Sequence, residues 1–381
     1  MTDLDALRRA EFPWTTDGSV AYLNHASTGP LPVRTRRELE RWDALRSEPW
    51  RQGWPEQSGV LVRSRELCAR MIGATPDEIA LMVNTTYGLN VAASVLPLEP
   101  GDVIVTPDRE FPANVYPWMA LAKRRGLTYR RVPYVNGLAD EDSLLRALDD
   151  PHVRLLSVSW VSFETGLKLD LERLGAACRE RGVYFVVDAM QGLGAAPIDV
   201  HANHIDFLAC GGQKWLLSPW GTGFVYVRRE LVTQLEPHTV GWMAVSNSED
   251  FTRLCDYELN WFDDARRFEV ITLPYPEFSG FNTSLELFES VGWRNVHALV
   301  DERATQIVRW AERHREVKLV TPADPARRAG VVSVRVREPA EASARLRASG
   351  VPHSLREGMI RLAPHFYTTP EEIDRALRFL E

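Results

Sequence analysis

Lysine is scarce in this 381-residue chain: it occurs at only four positions, and arginine supplies nearly all the positive charge. The net charge is −7, which argues against a nucleic-acid binder or a polybasic membrane module. No apolar run reaches the roughly 18 residues that a membrane span requires, and the N-terminus lacks the apolar segment of a signal peptide. The four cysteines show no paired spacing. We therefore expect a cytoplasmic protein with reduced thiols, whose partners include neither nucleic acid nor membrane.

Short apolar runs alternate with helical patterns between residues 79 and 227. Runs of this length are typical of a mostly parallel sheet buried between helices. After about residue 265 the pattern changes to a long helical region, about 283–316, followed by short strands and helices. We therefore predict an α/β fold with an N-terminal segment (1–30), a large domain (31–265) and a smaller C-terminal α+β domain (266–381).

Polar and aromatic residues follow several of the predicted strands directly. In open α/β sheets, ligands bind beyond the carboxyl ends of the strands. In chain order these residues are Asn84, Thr85, Thr86, Glu110, Phe111, Ser162, Phe163, Asp188, Gln191, Gln213 and Lys214. One crevice would then hold a phosphate-binding turn, an aromatic ring, a carboxylate, an amide and an amine.

Taken singly, these features have more than one interpretation. Thr85 and Thr86 open a helix whose N–H groups suit a phosphate, but threonine is also an ordinary helix cap. Asp188 ends an apolar strand and needs a cationic or N–H partner, which a structural ion pair would also provide. Arg361 lies in another apolar strand and needs an anion, either a substrate carboxylate or a structural salt bridge.

Lys214 stands between a glycine pair and Trp215 in the stretch CGGQKWLLSPWGTGFVYV. An amine can lose its proton and form a Schiff base, whereas a guanidinium in practice does not. With an aspartate for the pyridine nitrogen, a helix N-terminus for the phosphate and a stacking ring, this lysine meets the needs of pyridoxal phosphate. His201 and His204 have no carboxylate or cysteine at ligand spacing, so we predict no metal site.

Three blocks carry a family resemblance: VVDAMQGLGAAPIDV, the stretch around Lys214, and RLAPHFYTTPEEID. In this order they resemble the class V aminotransferases of pyridoxal-phosphate fold type I, which include cysteine desulfurases, selenocysteine lyases, isopenicillin-N epimerase and kynureninase. The resemblance begins at YLNHASTGP (22–30) and extends through residue 374. It implies a mostly parallel sheet flanked by helices, a smaller C-terminal α+β domain, an N-terminal segment packed near the active site, and a homodimer that shares its active sites.

The resemblance also implies roles for individual residues. Lys214 would be the Schiff-base lysine, Asp188 the partner of the pyridine nitrogen, and Arg361 the group that binds the substrate carboxylate. His25, next to Asn24, would line the substrate pocket. The other implied cofactor contacts are Thr85 and Thr86 at the phosphate, Phe111 (or its neighbour Pro112) stacked on the ring, Ser162 and Gln191 near the ring hydroxyl, Gln213 beside the lysine, and Thr272 reaching the partner subunit's phosphate.

The sequence departs from the family pattern at three places. Cysteine desulfurases carry a nucleophilic cysteine before the carboxylate-binding arginine, but VPHSLREGMIR (351–361) has none and Cys255 is distant in sequence. Persulfide transfer is therefore disfavoured. Gly211 stands where relatives often have a serine that bonds the phosphate, so that contact must come from elsewhere. Ser162 and Phe163 stand where an asparagine is common, so we expect an altered pocket.

These residues predict chemistry at Cα of a small amino acid. We expect Arg361 to hold its carboxylate and Lys214, freed from its aldimine, to remove the α-proton. Transamination and C–S β-elimination are the favoured outcomes. Epimerisation would need a second acid, for which His25 and His365 are the candidates. A protein that binds pyridoxal phosphate without catalysis is the further alternative.

Overall fold

A computed structural model describes residues 3–380, whose strands form two sheets. The α-helices of this part are α1 (Leu4–Glu11), α2 (Val33–Arg46), α3 (Trp54–Ile72), α4 (Thr85–Val95), α5 (Tyr116–Arg125), α6 (Glu141–Ala147), α7 (Leu171–Arg181), α8 (Arg229–Val232), α9 (Tyr275–Val291), α10 (Trp293–Arg313), α11 (Pro339–Ala348) and α12 (Pro370–Leu377). The strands are β1 (Ile79–Leu81), β2 (Val103–Pro107), β3 (Thr128–Val132), β4 (Val153–Ser159), β5 (Tyr184–Asp188), β6 (Phe207–Gly211), β7 (Gly223–Val227), β8 (Lys318–Leu319), β9 (Val332–Arg335), β10 (Ser354–Arg356) and β11 (Met359–Leu362).

The large sheet has the strand order β1-β7-β6-β5-β4-β2-β3. Strand β7 is antiparallel to both of its neighbours, and the other neighbouring pairs are parallel. The predicted mostly parallel sheet is therefore confirmed. Because parallel strands direct their carboxyl ends to one edge, the loops that follow β2, β4, β5 and β6 meet there.

Both faces of the sheet are buried at its inner strands, which is why β2, β4, β5, β6 and β7 are mostly apolar runs, whereas the edge strand β3 is partly exposed. Successive side chains of a strand point to opposite faces. Leu155 and Val186 accordingly belong to one buried cluster, whereas Leu156 and Val187 belong to another. The two cores hold the sheet between its helical layers.

The small sheet is antiparallel, with the order β10-β11-β9-β8. The N-terminal segment runs beside it: Leu23 N donates to Pro352 O at 2.9 Å, and Asn24 forms a bridge with Ala363. Leu23 is buried in the same apolar cluster as Ile360 of β11. The N-terminal segment around Leu23 and Asn24 therefore packs against the last strands of the chain.

The predicted helical region over about 283–316 is confirmed as helical, but it begins earlier, at Tyr275. It consists of α9 and α10, and they are separated at Gly292, whose φ of 86° interrupts the helix. Helix α9 packs against α2 and α3. The division into domains at residue 265 stays a prediction. None of the helices within residues 3–380 has the length and apolar character that a membrane span needs.

Candidate active site

A pocket at the carboxyl edge of the large sheet contains Lys214. Loops that follow five strands of the sheet contribute to it. Its lining residues are Asn84, Thr85, Thr86, Phe111, Ala113, Ser159, Val161, Phe163, Asp188, Met190, Gln191, Gln213 and Lys214. Seven of the sequence-predicted cofactor contacts are therefore brought together, from Thr85 to Lys214.

Lys214 is half-buried, and its Nζ lies 5.4 Å from the centre of the Phe111 ring. Burial lowers the pKa of Lys214 to about 8; Arg361 acts in the same direction, and Asp188 opposes it. The N-terminal segment fixes the backbone here, because Gly29 N donates to Gln213 O at 2.8 Å. A Cβ on Gly29 would lie 2.1 Å from Lys214 O, so only glycine permits this approach.

Asp188 ends β5 and is 4% exposed. Its Oδ1 accepts a hydrogen bond from Met190 N at 2.9 Å. Burial raises the pKa of Asp188 to about 6, and the Met190 N–H and Lys214 partly oppose this. Within residues 3–380 it has no cation at salt-bridge distance, so the alternative of a structural ion pair is not supported. A buried carboxylate in this position suits a cationic ligand atom.

Helix α4 begins at Thr85, and its cap is Asn84, whose side chain accepts from Tyr87 N at 2.8 Å. The alternative that the threonines cap the helix is therefore not supported. Thr85 Oγ1 instead accepts from Gly211 N at 2.9 Å, which joins the helix to the end of β6. The first N–H groups of a helix have no intrahelical partner and favour an anion, so this turn fits a phosphate.

Gln213 and Gly211 occupy the same corner of the pocket. In the described part of the chain, Gln213 Oε1 is buried without a hydrogen-bond partner. A Cβ on Gly211 would lie 2.6 Å from that oxygen and 3.4 Å from Thr85 Oγ1. The missing side chain at 211 thus leaves room for the Gln213 amide beside the helix N-terminus.

Arg361 lies on β11, is 2% exposed, and meets only neutral oxygens. Its Nη1 donates to Phe163 O at 2.7 Å, and its Nη2 donates to Ser27 Oγ at 2.8 Å and to Ser354 Oγ at 3.3 Å. Across residues 3–380 no carboxylate pairs with it, and its Nε is buried without a partner. Burial lowers the pKa of Arg361 to about 10, with a contribution from Arg356. The structural salt bridge that the sequence left open is therefore not supported.

Gln191 lines the pocket, but its amide is already engaged. Nε2 donates to Ala26 O at 2.9 Å, and Oε1 accepts from Trp215 Nε1 at 2.9 Å. The side chain expected near the ring hydroxyl thus ties the N-terminal segment to the residue beside Lys214.

Ser162 does not line the pocket. Its Oγ accepts from Thr165 N at 3.1 Å, and so it stabilises the turn that follows β4. Ser159, the last residue of β4, lines the pocket instead, together with Phe163. The ring at the pocket is that of Phe111, because Pro112 lines the neighbouring cavity.

His25 also lies away from the pocket lining. It is fully buried; its Nδ1 lies 2.8 Å from Ala363 O and its Nε2 lies 2.6 Å from Tyr367 Oη. Burial lowers the pKa of His25 well below its usual value. The geometry therefore does not support the expected role of a second proton donor. Thr272 is exposed and accepts from Trp242 Nε1 at 3.1 Å, so its predicted contact with a partner subunit stays a prediction.

Glu110 is a titratable group to which sequence reasoning gave no role. Its Oε1 accepts from Ser159 N at 2.8 Å, and its Oε2 accepts from Ser159 Oγ. Burial raises the pKa of Glu110 to about 7, and the charge of Asp188 adds to this. The signal was its place in the loop after β2, one residue before Phe111.

The arrangement fits pyridoxal phosphate on three structural grounds: a half-buried amine, a buried carboxylate with no ion pair in the described chain, and a helix N-terminus whose first N–H groups have no intrahelical partner. Thr85, Thr86 and Gln213 would hold the phosphate, Asp188 the pyridine nitrogen, and Phe111 would cover the ring.

Residues 56–375 match the sequence model of the family described as Aminotransferase class-V. An isopenicillin N epimerase from Streptomyces clavuligerus is 30% identical over 374 residues, which cover 94% of each chain. A protein of Methanothermobacter thermautotrophicus named "Probable cysteine desulfurase" is 31% identical over 280 residues, or 72% of this chain and 68% of the relative. Among solved structures, the complex of the cystine C-S lyase C-DES with cysteine persulfide superposes with a TM-score of 0.88 at 25% identity, covering 97% of this chain and 99% of that one.

Proposed function

Since the chain belongs to the aminotransferase class-V family of pyridoxal-phosphate enzymes, we propose that it acts at Cα and Cβ of a small amino acid, by C–S β-elimination or by transamination. The observation that carries this proposal is Arg361, a buried cation whose hydrogen-bond partners within residues 3–380 are all neutral oxygens. A substrate carboxylate would supply the missing anion through a bidentate, charge-assisted contact. Arg361 donates to the carbonyl of Phe163, which lines the Lys214 pocket, so the amino acid would be held beside the amine.

When bound, pyridoxal phosphate supplies an electron sink for negative charge at Cα. The chain's own residues then position the amino acid and move its proton. Arg361 binds the carboxylate, and Lys214 Nζ accepts the α-proton, which its pKa of about 8 permits near neutral pH. Asp188 keeps a proton on the ligand's ring nitrogen. Phe111 and Phe163, whose rings contact edge to face at 5.3 Å, shield this pocket from water.

C–S β-elimination is favoured by the similarity to a solved cystine C-S lyase along nearly the whole chain. Persulfide transfer by a protein cysteine is not favoured, because the 351–361 hairpin has no cysteine and the exposed Cys255 is not part of the pocket lining. Transamination would use the same residues but return the proton to the cofactor.

Epimerisation is the reaction named for two relatives with 30% identity. It needs a proton donor on the second face of the substrate. His365 is fully buried, with Nε2 at 2.9 Å from Trp215 O, and it accepts from Phe366 N through Nδ1. Neither His365 nor His25 offers a nitrogen to the pocket, so elimination and transamination are preferred.

The test begins with the purified protein and added pyridoxal phosphate. Borohydride should fix the cofactor to Lys214, as read by peptide mass. Lys214→Ala should lose both the label and turnover, whereas Lys168→Ala, which changes a half-buried lysine outside this pocket, should keep them. A panel of amino acids scored for keto acid, ammonia and sulfide then separates transamination from elimination. A labelled protein that changes no amino acid would contradict the proposed reaction and favour binding without catalysis.

We also propose a homodimer that completes the site through Thr272. The support is a group of exposed apolar residues beside Thr272, here named the 240–259 patch: Val240, Trp242, Phe251, Leu254, Tyr257 and Leu259. Trp242 links this patch to Thr272 by its hydrogen bond. Exposed apolar patches of this kind mark interaction surfaces.

A further inference from the structure

Arg109 lies at a junction of three loops beside the Lys214 pocket. Its Nε and Nη2 form a bidentate ion pair with Glu164, both bonds being 2.7 Å long, and Nη2 also reaches Glu357 at 3.1 Å. Glu164 is 3% exposed, so the bidentate Arg109–Glu164 pair holds the Arg109 side chain in a fixed position. The side chains of Arg109 and Glu357 are 43% and 55% exposed, so the other half faces water.

Each loop of this junction carries a residue of the candidate site. Arg109 precedes Phe111 by two positions, and Glu164 directly follows Phe163, which lines the pocket. Glu357 is at the tip of the β10-β11 hairpin, four positions before Arg361. The Arg109–Glu357 pair therefore links the loop of the covering ring to the hairpin of the carboxylate-binding arginine.

The junction also stands at an entrance. Arg109, Glu164 and Glu357 line a cavity of about 440 Å³ that adjoins the Lys214 pocket, because Phe163 lines both. Tyr116, at the rim of this cavity, is 66% exposed, so the cavity opens to solvent.

The backbone is held in an unusual conformation at both ends of the exposed pair. Arg109 has a φ of 58° and Glu357 a φ of 48°, in the left-handed region that non-glycine residues rarely adopt. Such conformations persist where the surroundings impose them, and they concentrate at functional sites. For Glu357 this conformation belongs to the two-residue turn of the β10-β11 hairpin, which it forms with Gly358 at a φ of 75°.

We propose that Arg109 and Glu357 form a strap across the entrance of the Lys214 pocket, which opens to admit the amino acid. This inference rests on the proposed function, since the amino acid is what the strap would admit. Glu357 is then a positioning residue: the hairpin moves when the exposed pair breaks, while Glu164 keeps Arg109 in place. Exposed ion pairs are weak, so the strap should open readily, and its loss should change access by about two- to fivefold.

The test measures how fast hydroxylamine attacks bound pyridoxal phosphate, followed by the change in cofactor absorbance. This reaction needs access to the pocket but no amino-acid chemistry, so a protein that converts no amino acid still reports on the strap. Glu357→Gln removes the charge and keeps the shape, and it should react about two- to fivefold faster than the unchanged protein. In 1 M KCl, where the screening length is about 3 Å, the two rates should converge.

The matched control is Asp142→Asn. Asp142 pairs with Arg173 at 2.6 Å, and the exposures of their side chains, 59% and 47%, resemble those of the strap. This control should leave the hydroxylamine rate and its salt dependence unchanged. Equal rates for Glu357→Gln and the unchanged protein at low salt would overturn the proposal, as would the same acceleration in Asp142→Asn. A faster Glu357→Gln reaction that persists in 1 M KCl would also overturn it, because loosened packing rather than a lost ion pair would then be the cause.

Discussion

Replacing Arg361 by methionine tests whether this cation is present for a ligand or for the fold. Burial lowers the pKa of Arg361 from the usual arginine value to about 10. At about 1.4 kcal/mol per pKa unit, the charged side chain is roughly 3 kcal/mol less stable inside the protein than in water. Methionine removes that cost but gives up three hydrogen bonds to neutral oxygens, each worth about 1 kcal/mol. The two effects nearly cancel, so we expect the unfolding free energy of the cofactor-free protein to change by less than about 1.5 kcal/mol.

Arg65 supplies the matched control, because it is another buried arginine but has a carboxylate partner. It makes a bidentate contact with Glu269 at 2.7 and 2.8 Å, and Glu269 is 3% exposed. Arg65→Met would leave that carboxylate buried without its cation, which typically costs about 3–5 kcal/mol. The two substitutions are the same chemically, and the predicted difference comes only from the partner.

The assay is urea unfolding of both variants without cofactor, followed by amino-acid binding to the cofactor-loaded protein. For Arg361→Met we expect near-normal stability and a loss of carboxylate affinity of at least about tenfold, because a charge-assisted contact contributes about 1.5–3 kcal/mol. If Arg361→Met destabilised the protein as much as Arg65→Met, Arg361 would be a structural cation. If amino-acid affinity were unchanged, it would not be the carboxylate-binding group.

Three other predictions follow from the structure. Burial lowers the pKa of His297 and of His365 to about 4, below the unfolded value near 6.5; the unfolded chain therefore binds protons first as pH falls. Each histidine should therefore stabilise the protein by about 2–3 kcal/mol less at pH 4 than above pH 6.5. Because the raised pKa values of Asp188 and Glu110 change stability in the opposite direction, the measurement is the difference in urea unfolding between the unchanged protein and His297→Gln, and a difference that is the same at pH 4 and pH 7 would contradict this. Gly211→Ala should weaken pyridoxal-phosphate binding, measured by absorbance titration, because the new Cβ lies 2.6 Å from Gln213 Oε1; unchanged affinity would remove Gln213 from the phosphate site. Leu259→Arg in the 240–259 patch should give a monomer by light scattering if the patch is the dimer interface, and an unaltered mass would exclude that role.

The ends of the strands could be predicted from the sequence, but the contacts of the side chains that follow them could not. Apolar runs located β4 within one residue, since both faces of the sheet are buried there. The serine that reaches the pocket, however, is Ser159 rather than Ser162. A serine at the start of a turn bonds to backbone N–H groups two or three residues ahead, and Ser162 does so with Thr165. Gln191 was predicted to lie near the ring hydroxyl. Its hydrogen bonds with Trp215 and Ala26 were not predicted, because they join segments that are distant in sequence.

Whether a buried charged side chain serves the fold or binds a ligand depends on whether an oppositely charged residue reaches it, and the sequence alone does not reveal such long-range contacts. Arg361 is flanked by apolar residues and Arg65 by Ser64 and Glu66, but neither pattern distinguishes a salt bridge from a ligand. Only the packing shows that Glu269 reaches Arg65 from 204 positions away, while nothing anionic in residues 3–380 reaches Arg361. The same reasoning applies to Asp188, which accepts one backbone N–H and has no cation at salt-bridge distance in the described chain. We infer that a fold that buries both charges without ion-pair partners in residues 3–380 leaves those positions to a ligand: a substrate carboxylate would complement Arg361, and a cationic cofactor nitrogen would complement Asp188.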